Sequence, residues 1–348
     1  MNEMKKISEH LVFLLAFLIS IEVLTSSPAN KNLSVSFDDP NTGVRVEKDL
    51  VLFIEDGKKS MDQIIDPCSL PKKLIMVLGV SGTGKSTLIN YLNGVSLVSK
   101  ENQNDGLMRV VLADNAISLP GGFQIGSKST SKTIYPAVHV PLGEDFAYVD
   151  NPGFSDTRPW LDIANAFFRE KVTSHFVDMK FAILVTSHNL YQDMGKQFRQ
   201  SIKLFSGSLG IFEQKNESNN DLIISALSKS ICIIVTRGSR TRTLQRMKQI
   251  YKFKLLEILN DMRDSNSLTV NEDKCFRSVI ENEQFSFFST PLLEVVLDNL
   301  EKNEINTLLQ TLTYSKKALL VFKLNLEIIT WDHLLHTCNC VQKNLKNT

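Results

Sequence analysis

The residues from 79 to 87, GVSGTGKST, combine glycines, a lysine and hydroxyl side chains in the pattern G-x-x-x-x-G-K-[S/T]. An apolar run, KLIMVL, precedes them at 73–78, and TLINYLN follows at 87–93 with apolar residues at helical spacing. Glycines permit backbone angles that turn successive N–H groups towards an anion, and the start of a helix adds the positive end of its dipole. The pattern therefore predicts a phosphate-binding loop between a strand and a helix.

Each side chain of this loop has an expected role. We expect the Lys85 amine, taken as a solvated charge that packs against nothing, to reach the β- and γ-phosphates of a nucleoside triphosphate. We expect the Ser86 hydroxyl to bind Mg²⁺. The predicted nucleotide-binding residues of the loop are Gly79, Ser81, Gly82, Thr83, Gly84, Lys85, Ser86 and Thr87.

A carboxylate ends a second predicted strand, DFAYVD at 145–150. Asp150 opens a D-x-x-G sequence that closes at Gly153. In GTPases this aspartate holds Mg²⁺ through water and the glycine N–H contacts the γ-phosphate. Asp150 and Gly153 are therefore added to the predicted nucleotide-binding residues.

An alternating segment, AVHVPL at 137–142, comes just before that strand, and Gly143 and Glu144 make a tight connection. These features predict an antiparallel β-hairpin. Nucleotide kinases and transporter-type ATPases have parallel strands at this place, so the hairpin and the D-x-x-G sequence together argue against both classes.

The string DNPGFSDT, residues 150–157, resembles the D-x-P-G-F-x-D-T element of the septin-like GTPases, which include the GIMAP-type immunity-associated proteins and the chloroplast import-receptor GTPases. The resemblance covers residues 72–291. It implies a threonine that closes over the γ-phosphate and Mg²⁺, for which Thr130 and Thr133 are the candidates. The spacing S-x-T-x-x-P of residues 131–136 favours Thr133. The resemblance thus implies three Mg²⁺ ligands, Ser86, Thr133 and Asp150, and three catalytic residues, Lys85, Thr133 and Gly153.

The base-recognition motif of this family is expected after the apolar strand SICIIV, residues 230–235. Thr236 and Arg237 resemble its GIMAP-type start, but Ser239 stands where the family has aspartate. A hydroxyl cannot accept two N–H donors as a carboxylate does, so the choice between guanine and adenine stays open. A fifth motif is expected at Ser289 and Thr290, at the end of the last strand.

The order of the remaining segments predicts the architecture. Alternating strands and helices with one hairpin predict a three-layer α/β P-loop NTPase domain with a mostly parallel sheet, one antiparallel hairpin and a helical C-terminal extension. The segments on which this rests are a helix at 160–176, a strand at 181–186, a helix at 197–205, a polar surface insertion at 216–221, and a basic amphipathic helix at 244–259. We interpret the basic face of that last helix as solvated rather than as a site for acidic lipid or nucleic acid.

The N-terminus carries a separate signal. Residues 11–24 are apolar except for Glu22, follow Lys5 and Lys6, and precede small residues, which is the layout of a secretory signal. The apolar run is short for a membrane span, and a helix packed on the domain is the alternative. The predicted segments are a signal-like or membrane-associating one (1–29), a small β-hairpin (30–70), the nucleotide-binding domain (71–292) and a helical extension (293–348).

Composition and motifs together predict a GTP- and Mg²⁺-binding protein that is a slow hydrolase or a nucleotide-dependent switch. Phe154 follows Gly153 where small GTPases have a glutamine that orients water, so we expect slow turnover. A homodimer formed through the nucleotide face would complete the catalytic site. The net charge of +1 argues against a nucleic-acid-binding surface. Two alternatives remain: an ATP-using P-loop enzyme, favoured by Ser239, and a non-hydrolysing nucleotide-bound scaffold, favoured by Phe154. For location, the secretory pathway or a membrane and the cytoplasm both stay open.

Overall fold

A mixed β-sheet with helices on both faces forms the framework of the protein, which was obtained as a computed structural model. The structure describes residues 70–102, 106, 108–119, 123, 125, 136–153, 168–169, 172–209, 212, 217–238, 243–290, 295–297 and 299–316. The strands are Lys73–Leu78 (β1), Leu97–Glu101 (β2), Met108–Leu112 (β3), Ala137–His139 (β4), Phe146–Asp150 (β5), Asp178–Thr186 (β6), Ile231–Thr236 (β7), Phe285–Phe288 (β8) and Ser315–Lys316 (β9). The helices are Lys85–Leu92 (α1), Ser187–Tyr191 (α2), Lys196–Ser208 (α3), Glu217–Ser228 (α4), Leu244–Asp264 (α5), Val270–Glu281 (α6) and Leu300–Thr311 (α7).

The main sheet has the strand order β4-β5-β1-β6-β7-β8. The neighbours from β5 to β8 are all parallel, and β4 is antiparallel to β5, as the predicted hairpin requires. Because parallel strands enter from the same end, the segments that follow β1, β5, β6, β7 and β8 all emerge at one edge of the sheet. Any site built from several of these segments lies at that edge.

Both faces of the central strands are buried, which explains why they read as continuous apolar runs. One face packs on α1 and α7, and its residues include Ile75, Val77, Ala182, Leu184, Cys232 and Ile234. On the other face, Phe181 contacts Phe205 of α3 at a ring-centroid distance of 5.1 Å, and Phe205 contacts Phe276 of α6 at 5.9 Å. The predicted three-layer α/β P-loop fold, with a mostly parallel sheet, one antiparallel hairpin and a helical C-terminal part, is confirmed.

Several local predictions need correction. The segment 216–221 is expected to be a polar surface insertion, but residues 217–221 form the start of α4, because the buried Ile224 and Leu227 of that helix outweigh its polar start. Helix α5 continues past residue 259 because Leu259 and Met262 extend its buried face. The helix expected at 160–176 falls mostly outside the described residues.

A second, two-stranded sheet escaped the sequence analysis. In it, β2 pairs antiparallel with β3, and a bridge joins Val98 to Val296. Backbone bonds from Ser99 N to Val295 O (2.9 Å) and from Leu297 N to Leu97 O (2.9 Å) extend this contact. The hairpin β2–β3 is thereby fixed beside the segment that follows β8.

The C-terminal helix α7 belongs to the same core, since Ile305 and Leu309 are buried against α1 and the sheet. The Lys180 amine of β6 donates to the Leu309 carbonyl (2.7 Å) and lies 4.1 Å from the centroid of the Tyr314 ring. Strand β9 then pairs antiparallel with the first residues of β6.

Three predicted segments fall outside the part of the chain that the structure describes: the signal-like segment 1–29, the hairpin at 30–70 except for its last residue, and the extension beyond residue 316. Within the described ranges, no helix has both the length and the apolar character needed to cross a membrane.

Candidate nucleotide-binding site

The glycine-rich loop leaves the end of β1 and enters α1 at Lys85, as predicted. Gly79 has φ of +151°, and a Cβ there would lie 2.7 Å from Thr83 Oγ1 and 2.8 Å from the Leu184 carbonyl, so no side chain fits. The Thr83 N–H and hydroxyl both donate to the Val80 carbonyl, at 3.3 and 2.9 Å. The sequence of the loop therefore determines its tight curvature.

Gly82 and Gly84 have φ of +80° and +90°, the left-handed region that side chains disfavour. Gly84 directly precedes the first residue of α1. The loop thus curls directly before the N-terminus of α1, the end of a helix that favours an anion.

The Lys85 side chain is buried, which contradicts the expectation of a solvated charge. Its amine donates to the carbonyls of Gly79 (3.1 Å) and Val80 (3.3 Å), so it closes the loop from inside. Burial lowers the pKa of Lys85 to about 8; the Asp150 carboxylate opposes this shift and the Arg169 guanidinium adds to it. The structure therefore places the amine inside the glycine-rich loop, where it has lost much of its solvation.

The Ser86 hydroxyl of α1 donates to Asp150 Oδ2 over 2.5 Å. Asp150 is fully buried at the end of β5, and its register partner on β1 is Val77, two residues before the loop. Hydroxyl and carboxylate oxygens are the protein ligands that Mg²⁺ uses when it also binds phosphate and water. Among the described residues no group of three or more His, Cys, Asp or Glu side chains is placed to hold a metal.

The D-x-x-G segment lies directly against the glycine-rich loop. A Cβ placed on Gly153 would lie 2.5 Å from both N and Cα of Ser81, so glycine is required here for steric reasons. The remaining predicted ligand, Thr133, lies outside the described residues, as do Thr130 and Phe154. Two of the three predicted Mg²⁺ ligands, Ser86 and Asp150, are thus brought together.

The segment predicted to recognise the base also reaches the loop. The Thr236 hydroxyl, at the end of β7, donates to the Thr83 carbonyl over 2.8 Å. Arg237 has φ of +57°, its N–H donates to the Phe288 carbonyl (3.1 Å), and its Nη2 lies 3.9 Å from a Cβ placed on Gly82. This places the guanidinium of Arg237 beside the phosphate-binding loop.

The fifth predicted segment is tied to the fourth. The Thr290 N–H donates to the Gly238 carbonyl (3.1 Å), and the Ser289 N–H donates to Glu301 Oε2 of α7 (2.8 Å). Ser239 is outside the described residues. The segments after β7 and β8 are therefore hydrogen-bonded to each other.

Two arginines near this site were missed by the sequence analysis. Burial is the larger cause of the lowered pKa of Arg237, and the charge of Arg109 on β3 lowers it further. The charge of Arg169 likewise lowers the pKa of Lys85. No motif marks either residue, because each comes from a segment that only the tertiary fold brings to the site.

Comparison with known proteins assigns this chain to no family. No protein-family model and no curated protein matches the sequence. Similar solved structures include Toc33 from Arabidopsis thaliana in complex with GDP and Mg²⁺, with a TM-score of 0.37 and 11% identity over 75% of this chain and 91% of that one. Toc33 in complex with Mg²⁺ and GMPPNP has a TM-score of 0.35 and 12% identity over 76% of this chain and 94% of that one. A nucleolar GTP-binding protein from Plasmodium falciparum has a TM-score of 0.26 and 14% identity over 81% and 97% of the two chains. Similarity at this level supports no inference about activity.

Proposed function

We propose that the protein binds GTP together with Mg²⁺ and acts as a slow GTP hydrolase or a nucleotide-dependent switch. The observation that carries this proposal is the meeting of three separate segments at one loop. Asp150 bonds to Ser86, Gly153 packs on Ser81, and Thr236 bonds to the Thr83 carbonyl. Contacts between these segments would bring the groups that bind the phosphates, the metal and the base of one nucleotide to the same loop.

The residues divide into phosphate-, metal- and base-contacting groups. Lys85 and the N–H groups of residues 81–86 would hold the β- and γ-phosphates, and the Gly153 N–H would contact the γ-phosphate. Ser86 and Asp150, with Thr133 proposed as a third ligand, would hold Mg²⁺. The bound Mg²⁺ would supply charge neutralisation on the phosphate oxygens.

Slow turnover follows from Phe154, since a phenyl ring cannot orient the attacking water as glutamine does. We propose that Lys85, Thr133 and Gly153 stabilise the transition state and that a second protomer completes the site across the nucleotide face. If so, phosphate release per mole of protein should rise with protein concentration across a hundredfold dilution series, because the dimer fraction rises by mass action. A flat, fast rate would refute the dimer proposal.

Two other functions are favoured by particular residues. Ser239 in place of aspartate favours an ATP-using P-loop enzyme. Phe154 favours a nucleotide-bound scaffold that does not hydrolyse, and a rate of phosphate release near zero at every protein concentration would support that function. Titration of the purified full chain with fluorescent GTP and ATP analogues in the presence of Mg²⁺, followed by phosphate release, separates the three functions.

The variant Lys85→Ala tests the site itself. It should abolish triphosphate binding, because the amine that replaces water around the phosphates is gone. A matched control is Lys274→Ala, which removes an exposed lysine that pairs with Asp221 (2.9 Å) on the helices α6 and α4. Equal affinity in Lys85→Ala and the unmodified protein would refute the assignment of the loop.

Membrane association through residues 11–24 and the boundaries of the domain at 71–292 are further proposals that rest on the sequence. Fractionation of cells that express the chain with and without residues 1–29 tests the first. Loss of membrane recovery in the shortened chain would support it, and unchanged recovery would refute it.

A further inference from the structure

A carboxylate from the C-terminal helix reaches the strand end where the base is expected. Glu301 is in the first turn of α7, and its Oε2 accepts the Ser289 N–H over 2.8 Å. Ser289 directly follows β8. The segment predicted to recognise the base, residues 236–239, contains no acidic residue. Glu301 therefore brings to this edge of the sheet the group that the segment lacks.

Ser289 lies between two residues that are bonded to the segment after β7. Before it, the Phe288 carbonyl accepts the Arg237 N–H over 3.1 Å. After it, the Thr290 N–H donates to the Gly238 carbonyl over 3.1 Å. A nucleotide whose phosphates occupy the glycine-rich loop extends along the carboxyl ends of the strands, so its base reaches the ends of β7 and β8. The base and the carboxylate are therefore expected at the same strand end.

Two further contacts hold the first turn of α7 beside this strand end. The Lys302 N–H donates to the Tyr91 hydroxyl over 3.0 Å. The Tyr91 ring stacks on the ring of Phe288, the last residue of β8, at a centroid distance of 5.0 Å. Because Lys302 follows Glu301 directly, the backbone of Glu301 is held near β8 independently of the bond to Ser289.

The Ser289 side chain places a hydroxyl next to this carboxylate. It is 3% exposed, and among the described residues nothing forms a hydrogen bond with its Oγ. A buried hydroxyl without a partner destabilises a fold, and a ligand that supplies the partner removes that cost. The end of β8 thus combines a hydroxyl donor with a carboxylate acceptor.

We propose that Glu301 determines specificity for guanine, by accepting hydrogen bonds from N1–H and the 2-amino group while the Ser289 hydroxyl donates to O6. This rests on the proposed function in that the nucleotide must occupy the loop. A carboxylate accepts at about four positions, so it can hold the Ser289 N–H and two donors of a base at once. Adenine has an acceptor at N1, which the carboxylate repels, and no donor at C2, so the same pair of residues disfavours it.

Nucleotide analogues test this mode of recognition on the unmodified full chain. We expect ITP, which lacks only the 2-amino group, to bind about tenfold more weakly than GTP, the scale of one hydrogen bond to a charged group. We expect ATP, which lacks both donors, to bind more weakly than ITP. Isothermal titration calorimetry with Mg²⁺ present gives the dissociation constants. An ITP affinity within about twofold of the GTP affinity would overturn the proposal.

The variant Glu301→Gln tests the residue. Its amide oxygen can still accept the Ser289 N–H, but its amide nitrogen donates and so opposes the 2-amino group of guanine. Affinity for GTP should fall about tenfold. Xanthosine triphosphate carries an oxygen in place of the 2-amino group, so the variant should bind it about tenfold more tightly than the unmodified protein does. A purely structural role of Glu301 would not produce that gain.

Two more variants complete the test. Glu304→Gln is the matched control, since Glu304 lies three residues later on α7 and pairs with Lys248 of α5 (3.0 Å), so the ratios of nucleotide affinities should stay unchanged. Ser289→Ala removes the proposed donor to O6 and should weaken GTP and ITP alike, by roughly threefold to tenfold. Unchanged affinity for both nucleotides would overturn the role of Ser289.

The outcomes separate two failures. If GTP binds and its preference over ITP and ATP survives Glu301→Gln, another group reads the base and the inference is wrong. If neither GTP nor ATP binds the unmodified chain, the proposed function itself fails. Should Glu301→Gln fail to fold, the analogue series on the unmodified chain still decides.

Discussion

Raising the pH from 7 to 9 should weaken triphosphate binding through Lys85. The pKa of this amine is lowered to about 8 by burial in the nucleotide-free protein. With that value, roughly nine-tenths of the amines are charged at pH 7 and about one-tenth at pH 9. Only the charged amine attracts phosphate strongly, and the phosphates of a bound ligand would keep it charged, so the observed affinity should fall about tenfold, or about 1.4 kcal/mol.

Two measurements check this expectation. Affinity for GTP is titrated at half-unit steps between pH 7 and 9, a range in which the terminal phosphate is already ionised because its pKa is near 6. Calorimetry at pH 8.5 in two buffers of different ionisation enthalpy then counts protons, and binding should take up about 0.8 proton per nucleotide. Lys85→Arg is the control, since a guanidinium stays charged throughout and any binding it retains should not vary with pH.

An affinity that stays within twofold from pH 7 to 9, with no proton uptake, would refute the reasoning. The free energy of unfolding supplies an independent check, because the Lys85 contribution to it should rise with pH while the affinity for nucleotide falls. The folded-state pKa of Lys85, about 8, lies below the unfolded value of 10.5, so the unfolded chain binds more protons between these pH values. The contribution of Lys85 to the free energy of unfolding should therefore rise with pH across that window, and Lys85→Met should remove this rise in urea titrations.

Three further predictions concern neighbouring contacts. Thr236→Val should lower the free energy of unfolding by about 1–3 kcal/mol, because the buried Thr83 carbonyl loses its donor, whereas Thr236→Ser should restore it; chemical denaturation measures both. Gly153→Ala should weaken GTP binding at least severalfold, because its Cβ would lie 2.5 Å from the Ser81 backbone, and affinity equal to the unmodified protein would contradict the contact. Ser239→Asp should raise the GTP/ATP affinity ratio, because a carboxylate there can accept from guanine N1–H and the 2-amino group; competition binding that shows no change would mean that the base is read elsewhere.

The parts of the site that were predictable have local signals. The strand β1, the glycine-rich loop and the start of α1 follow from apolar runs and glycine spacing within 73–93. The placement of Asp150 and Thr236 at strand ends follows because each ends an apolar run. Parallel pairing then brings such ends to one edge without any further information in the sequence.

Other features depend on partners distant in the chain. The hairpin β2–β3 has short, half-polar strands, LVSKE and MRVVL, and is fixed by residues 295–297, about two hundred positions later. The burial of Lys85 depends on which carbonyls the folded loop presents, and periodicity cannot reveal that. Helix α6 is different, because its capping box is written in the sequence as Thr269-x-x-Glu272 and would have predicted its start.

The position of α7 and β9 has a consequence for how the chain is made. Strand β6 is made well before its antiparallel partner β9, so its first residues cannot pair with Ser315 and Lys316 until those residues have been translated. The face of α1 that Ile305 covers likewise stays exposed to water until α7 has been translated. Folding from the N-terminus thus leaves apolar surface on a nascent chain for more than a hundred further residues after β6. We expect the nascent protein to engage chaperones over that interval, because this apolar surface is covered only when α7 has been made.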